Sequence, residues 1–170
     1  MNEVRATRLN HVSIHADDLA ESVRFYSEVL GLEKIPTYTF AFPVQYFRLG
    51  DQQLHIFERE TPAPQFHHIA LDVDDFEAAF ERARDLRIHD RTAFFADVYE
   101  LPDGAVQMYL RDPAGNLVEV NWPDIATLDH SRLPTFRRLA DTVEQTPDGL
   151  RSSLYLHLRE QQPVLGSDGR

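Results

Sequence analysis

Apolar and polar residues alternate over residues 9–18, LNHVSIHADD, with Val12 and Ile14 on one face and His11, Ser13 and His15 on the other. A period of two marks a half-buried strand. Past it the period changes: Leu19, Val23, Tyr26 and Leu30 recur at helical spacing. Asp18 and Glu21 stand at capping-box spacing, and Gly31 is placed to end the helix. Three short strands fit next, at about 32–37, 44–49 and 53–57, with Gly50 and Asp51 as the hairpin between the last two. Pro62 and Pro64 interrupt the chain, and the pattern starts again. FHHIALDVDDFEAAFERA reads as strand then helix, with Asp74 and Glu77 at capping spacing and Phe76, Ala79, Phe80 and Ala83 as the apolar face. A weak strand signal runs over about 91–95. VQMYLRDPAGNLVEV then closes the unit as strand, turn, strand, with Leu117, Glu119 and Asn121 on one face and Val118, Val120 and Trp122 on the other.

The two halves are copies. HVSI at His11 corresponds to HIAL at His68, VQYFRLGD at Val44 to VQMYLRDP at Val106, and LHIF at Leu54 to VEVN at Val118. A period near this length is too long for a solenoid. The expected fold is therefore α+β: two paired βαβββ modules, about 9–60 and 66–122, forming one curved mixed eight-stranded sheet with helices outside. Residues 1–122 make the domain. Residues 123–170 form a mainly helical C-terminal extension that is not a separate domain. In it Leu133, Phe136, Leu139, Ala140 and Val143 suggest a helix, and Leu150, Leu154, Leu156 and Leu158 a second apolar stretch. Packing of this extension on the core is the favoured expectation, over capping a pocket or meeting a second subunit.

Strand parity selects the candidate chemistry. Where Val12, Leu54, Ile56, Ile69, Leu71, Val118 and Val120 face the helices, His11, His55, His68 and Glu119 face the concave side. A carboxylate at mid-strand between β-branched neighbours is costly to bury without a partner. One strand histidine is ordinary, but three imidazoles and a carboxylate at matched positions point to a first-row divalent metal. Two His and one carboxylate form the facial set of non-haem iron, with positions left open for substrate and oxygen. Gln45, Phe47, Phe57, Gln107 and Tyr109 are assigned the same parity. They read as cavity filler or as a substrate wall with few polar anchors. His15, His67, His89, His130 and His157 lack matching partners and read as surface or strand-end residues.

Composition narrows the rest. The 170 residues suit one domain with a sizeable core, and a net charge of −11 argues against nucleic acid or an anionic membrane as partner. There is no cysteine, so thiolate nucleophiles, disulfides and thiolate metal sites are excluded. No apolar run approaches membrane-spanning length, and MNEVRATR has no secretion-signal pattern, so a cytoplasmic protein is expected. One carboxylate on a divalent ion leaves a local positive charge that would hold small anions such as carboxylates, catecholates or enediolates.

The stretches LNHVSIHADDLAESVRFYSEVLGL, HIALDVDD and DPAGNLVEV resemble the vicinal oxygen chelate superfamily. It groups glyoxalase I, bleomycin-resistance proteins, fosfomycin-resistance enzymes, methylmalonyl-CoA epimerase and extradiol dioxygenases, and the likeness covers about residues 9–122. The resemblance implies a metal held by His11, His68 and Glu119, with His55 at the fourth ligand position of glyoxalase-like members. It implies a divalent ion, Fe2+ first, with Ni2+, Zn2+, Mn2+ or Co2+ as alternatives. Glyoxalase I and the epimerases usually place Glu or Gln where His55 stands. Tyr109, Asp112, Pro113, Gly115 and Glu119 fit the extradiol pattern, whose upstream His is missing near residues 100–102. The expected function is a metal enzyme acting on a small oxygenated or aromatic anion, and the expected assembly is a homodimer. Extradiol-type oxygenation leads, with Tyr109 steadying an oxyanion and His55 as fourth ligand or acid/base. The alternatives are a glyoxalase-like lyase, isomerase or epimerase working through a metal-bound enediolate with Glu119 as proton shuttle, and a non-catalytic binding or resistance protein.

Overall fold

A computed structural model describes residues 7–93, 98–133 and 135–156. In module one, β1 (His11–Ala16) lies parallel to β4 (Gln52–Glu58), which pairs antiparallel with β3 (Val44–Leu49), and β3 with the short β2 (Lys34–Ile35). Module two repeats this: β5 (His68–Asp72) runs parallel to β8 (Leu117–Trp122), followed by β7 (Val106–Arg111) and β6 (Val98–Glu100). The paired βαβββ modules are thus as expected. They form two hydrogen-bonded sheets, with no ladder joining β1 to β5 among the described residues.

Helix α1 (Leu19–Arg24) starts where Asp18 accepts the amide of Glu21, and continues as a π-helical turn over Phe25–Val29. Gly31 follows with φ +69°, the left-handed conformation that glycine adopts freely. Helix α2 (Phe76–Asp85) is capped by Asp75, whose carboxylate accepts from Ala78, and not by Asp74 as the spacing suggests. Both helices contribute to one core that spans the two modules. In it Phe25, Tyr26, Phe47, Leu54 and Ile56 join Phe76, Phe80, Met108, Val118 and Val120.

Polar ties fix the modules to each other. Asp112, buried in the β7–β8 turn, accepts from the amides of Ala114 and Asn116, from Asn116 Nδ2 and from the Tyr26 hydroxyl of module one. Burial pushes the Asp112 carboxyl up, and these hydrogen bonds oppose the shift. Asn116 Nδ2 also donates to the carbonyl of His15, 2.7 Å away, so β1 meets module two at its C-terminal end.

The strand expected at 91–95 is displaced: residues 91–93 are not strand, 94–97 lie outside the described residues, and β6 begins at Val98. The extension also differs. Residues 136–138 form β9, parallel to β6, followed by one short α-helix, Leu139–Thr142 (α3), and the other described helical pieces between residues 123 and 155 are 3-10 turns at Ile125–Thr127, His130–Arg132 and Gly149–Arg151. The open edge of β6 offers a ladder that outweighs local helical periodicity. The extension does pack on the core, through Leu128, Leu133 and partly buried Phe136. Leu158 and His157 lie outside the described residues. No described helix is long and apolar enough to cross a membrane.

Gln45 and Phe47 require correction as substrate-wall residues. Phe47 stands opposite Leu54 and Gln45 opposite Ile56, so both share the helix-facing side. Phe47 is fully buried in the core, and the Gln45 amide donates to the carbonyls of Ile35 and Tyr46. Phe47→Ala is accordingly expected to cost about 3–5 kcal/mol of stability, the usual penalty for emptying a buried phenylalanine site. Urea unfolding measures this, and a loss under about 1 kcal/mol would contradict the core placement.

Candidate functional site

In module two, β8 carries Glu119 to the concave face, and its Cα partner on β7 is Tyr109. Glu119 is 4% exposed. Its Oε1 accepts from Gln107 Nε2 at 2.6 Å, and its Oε2 accepts from the Tyr109 hydroxyl at 2.7 Å. Burial first, and the Glu119 carboxylate second, push the Tyr109 phenol well above its ordinary value. Tyr109 is therefore a fixed donor. Glu119 Oε2 also faces His68 Nε2 at 3.2 Å. His68 Nδ1 lies 2.9 Å from the carbonyl of Phe66, an oxygen that can only accept, so Nδ1 carries the proton. That leaves the Nε2 lone pair opposite a carboxylate. Two acceptors at this distance call for a cation, either a second proton or a metal ion, between them.

Module one presents a different half. The ring of His55 is stacked between Tyr46, at 3.6 Å between centroids, and His11, at 4.3 Å. His55 Nε2 pairs with Gln53 Oε1 at 2.8 Å, and His11 Nδ1 with Asn10 Oδ1 at 2.9 Å. The second contact leaves His11 Nε2 to present its lone pair, the arrangement that prepares an imidazole for metal. Burial and then the neighbouring His11 lower the pKa of His55, which favours the neutral ring. Phe57 is on this face as expected, and Phe40 and Phe42 of the β2–β3 connection pack against it.

Tyr46 is the site residue that matching the two halves by sequence misses. Setting VQY against VQM puts Phe47 beside Tyr109 in the repeat. The two-residue turn at Gly50–Asp51 instead sets Leu49 opposite Gln52, and so Tyr46 opposite His55, as Tyr109 is opposite Glu119. Counting back from that turn finds it.

The structure therefore brings the four expected ligands together as two pairs, His11 with His55 and His68 with Glu119. Among the described residues no three His, Asp or Glu side chains lie close enough to share one ion. His15, at the end of β1, borders a cleft of about 240 Å³ with His67 and His68, while His11 stands at the strand's other end, about 13 Å away at the usual rise. The donor chemistry of His68, Glu119 and His11 fits a divalent ion. His55 fits less well in this rotamer: an ion lying in the plane of one stacked ring lies off the plane of the other, so both lone pairs cannot be aimed at it.

The model of the glyoxalase/bleomycin resistance protein/dioxygenase superfamily matches residues 8–120. The chain belongs to that superfamily. The superfamily contains metal-dependent enzymes of glyoxalase, epimerase and fosfomycin-modifying types. The chain is 29% identical over 126 residues to the uncharacterised protein YwbC of Bacillus subtilis, covering 67% of this chain and 96% of that one. It is 33% identical over 87 residues to human mitochondrial methylmalonyl-CoA epimerase, a match spanning 42% of this chain and 49% of the epimerase. Among solved structures, lactoylglutathione lyase from Agrobacterium tumefaciens superposes with a TM-score of 0.53 at 24% identity, over 74% of this chain and 100% of that one. The fosfomycin resistance protein FosX from Listeria monocytogenes, complexed with Mn(II) and sulfate, superposes with a TM-score of 0.55 at 16% identity, over 69% and 93%. These likenesses are of superfamily fold, and the extension beyond residue 120 lies outside the matched region.

Proposed function

We propose that the protein is a divalent-metal enzyme that moves a proton at a carbon beside a carbonyl of a small oxygenated anion, as an isomerase, epimerase or lyase. The observation that carries this reading is the His68–Glu119 pair, two acceptors facing each other at 3.2 Å with Tyr109 and Gln107 holding the carboxylate from behind. A bound ion would polarise the substrate carbonyl as a Lewis acid. His68, Glu119 and His11 would hold it. Both carboxylate oxygens of Glu119 accept hydrogen bonds, which fix it in place and suit a ligand better than a group that must swing to carry a proton. Neutral His55 is the better base, since its Nδ1 is not the atom bound to Gln53. The partial match to an epimerase supports the same class.

Extradiol oxygenation of a catecholate with Fe2+ is the second reading, favoured by Tyr109, whose phenol stays protonated as an oxyanion donor would. Anaerobic metal identification followed by a screen of catechols and 2-oxo compounds separates the two.

In this reading the ion is shared between copies. The concave residues of both inner strands, His11, Ser13 and His15 on β1 and His68, Ala70 and Asp72 on β5, are exposed. A twofold homodimer that sets module one of each copy against module two of the other would complete two equal sites. A mixture of His11→Ala and Glu119→Gln chains, unfolded and refolded together, is expected to recover about a quarter of the wild-type metal sites, since half the dimers are mixed and each has one intact site. Either variant alone recovers none. No recovery in the mixture would place the whole site within one chain.

A further inference from the structure

Strands β1 and β5 each stand at the end of their sheet, and the cleft of about 240 Å³ lies between them. Ser13 and His15 wall it on one side, His67 and His68 on the other, and Pro62 and Pro64 of the linker complete it. Proline fixes φ and leaves the linker little freedom, so this wall is set before anything binds. The volume falls below the roughly 300–1,000 Å³ of a site for drug-sized molecules and suits a smaller one.

The lining is unlike the rest of the chain. The sequence carries 28 Asp and Glu residues, yet none lines the cleft, nor does any Lys or Arg. Its ionisable groups are three histidines. They are not a metal site, since among the described residues no three His, Asp or Glu side chains lie close enough to share one ion. His68 uses Nδ1 on the carbonyl of Phe66 and turns Nε2 to Glu119. Asn116 commits its NH2 to the His15 carbonyl and to Asp112. His15 and His67 are exposed, and neither ring has a hydrogen-bond partner among the described residues. Each neutral imidazole has one N–H to donate. Two free N–H donors in a lining without carboxylates, within a chain of net charge −11, fit a small anion.

We propose that this cleft holds the tail of the substrate, with His15 and His67 donating to the two oxygens of a distal carboxylate. His68 belongs to both places: its ring borders the cleft, and its Nε2 lies 3.2 Å from Glu119 Oε2. A molecule whose oxo end is held at that pair therefore has the cleft in which to lay its tail. The inference deepens the metal reading by naming the substrate class, a short oxo acid with a second carboxylate, and it rests on that reading for the oxo end alone.

Calorimetric titration of the Mn2+-loaded protein with 2-oxopentanedioate and 2-oxopentanoate tests this, because the two differ only in the far carboxylate. The dianion is expected to bind about tenfold more tightly, and the double variant His15→Phe, His67→Phe to bind the two equally. Both positions are exposed, so the variant is expected to fold. Equal binding to wild type, or a preference that survives in the double variant, overturns the proposal and leaves the metal reading intact. Failure of both acids to bind the loaded protein also overturns it. The metal-free protein separates the two claims. There pentanedioate is expected to shift the His15 and His67 ring resonances in NMR spectra, and pentane-1,5-diol to leave them in place. No shift, or an equal shift with the diol, overturns the proposal whatever the metal does. If the shifts appear but the protein retains no Mn2+, the cleft stands as a carboxylate site and the metal reading alone falls.

Discussion

Glu119→Gln is expected to abolish metal retention while leaving the protein folded. The variant keeps the shape of the side chain and removes its charge. Its oxygen can still accept from Gln107 Nε2, and its new amide nitrogen can sit where Oε2 stood, 3.2 Å from His68 Nε2. There it donates to the lone pair that otherwise needs a cation. The Tyr109 hydroxyl can turn to Gln107 Oε1, which already lies 3.5 Å away. The substitution thus satisfies the pair internally and removes the reason for an ion to bind. Metal affinity should fall by more than the roughly 10–100-fold that loss of a group behind a ligand causes. Elemental analysis after dialysis, with circular dichroism as the check on folding, reads the result. Wild-type metal content in Glu119→Gln would mean that the ion is held without Glu119, and that its assignment as a ligand is wrong.

Tyr109→Phe comes second in size. Its hydroxyl is the donor to Glu119 Oε2, and its burial beside that carboxylate keeps it protonated across the working pH range. If the hydroxyl also donates to an oxyanion during turnover, its removal should lower kcat by about 10²-fold with little change in KM. If it only positions Glu119, the loss should instead appear as about tenfold weaker metal affinity, with turnover restored at saturating metal. A variant unchanged in both would remove Tyr109 from the site altogether.

Much of this architecture is legible in the sequence. The alternation through His11–Ala16 and the change of period at Asp18 follow from side-chain geometry alone, and β1, α1 and their repeats stand where that pattern puts them. The inward parity of His55, Phe57, His68, Gln107, Tyr109 and Glu119 is legible for the same reason. Register is harder. Aligning similar letters across the halves puts Gln45 and Phe47 on the wrong face, because a two-residue turn and a longer one set the two hairpins differently. The division of the four expected ligands into two pairs cannot be read from parity, which says which way a side chain faces and not which strand ends adjoin. That depends on Tyr26, Asp112 and Asn116, whose hydrogen bonds hold the end of β1 against module two. The strand in the extension is hidden for a further reason: its ladder belongs to β6, 38 positions earlier at Glu100 and Arg138.

That added strand makes the two outer rims of the molecule unequal. Module one ends in β2, only two residues long and too short to recruit much neighbouring backbone. Module two would end in the bare amides and carbonyls of Val98–Glu100, but Phe136–Arg138 already occupies them, with Arg138 clamped on Glu100. A chain cut after Trp122 would bare the β6 ladder and empty the core positions of Leu128 and Leu133, so the extension completes this side of the molecule.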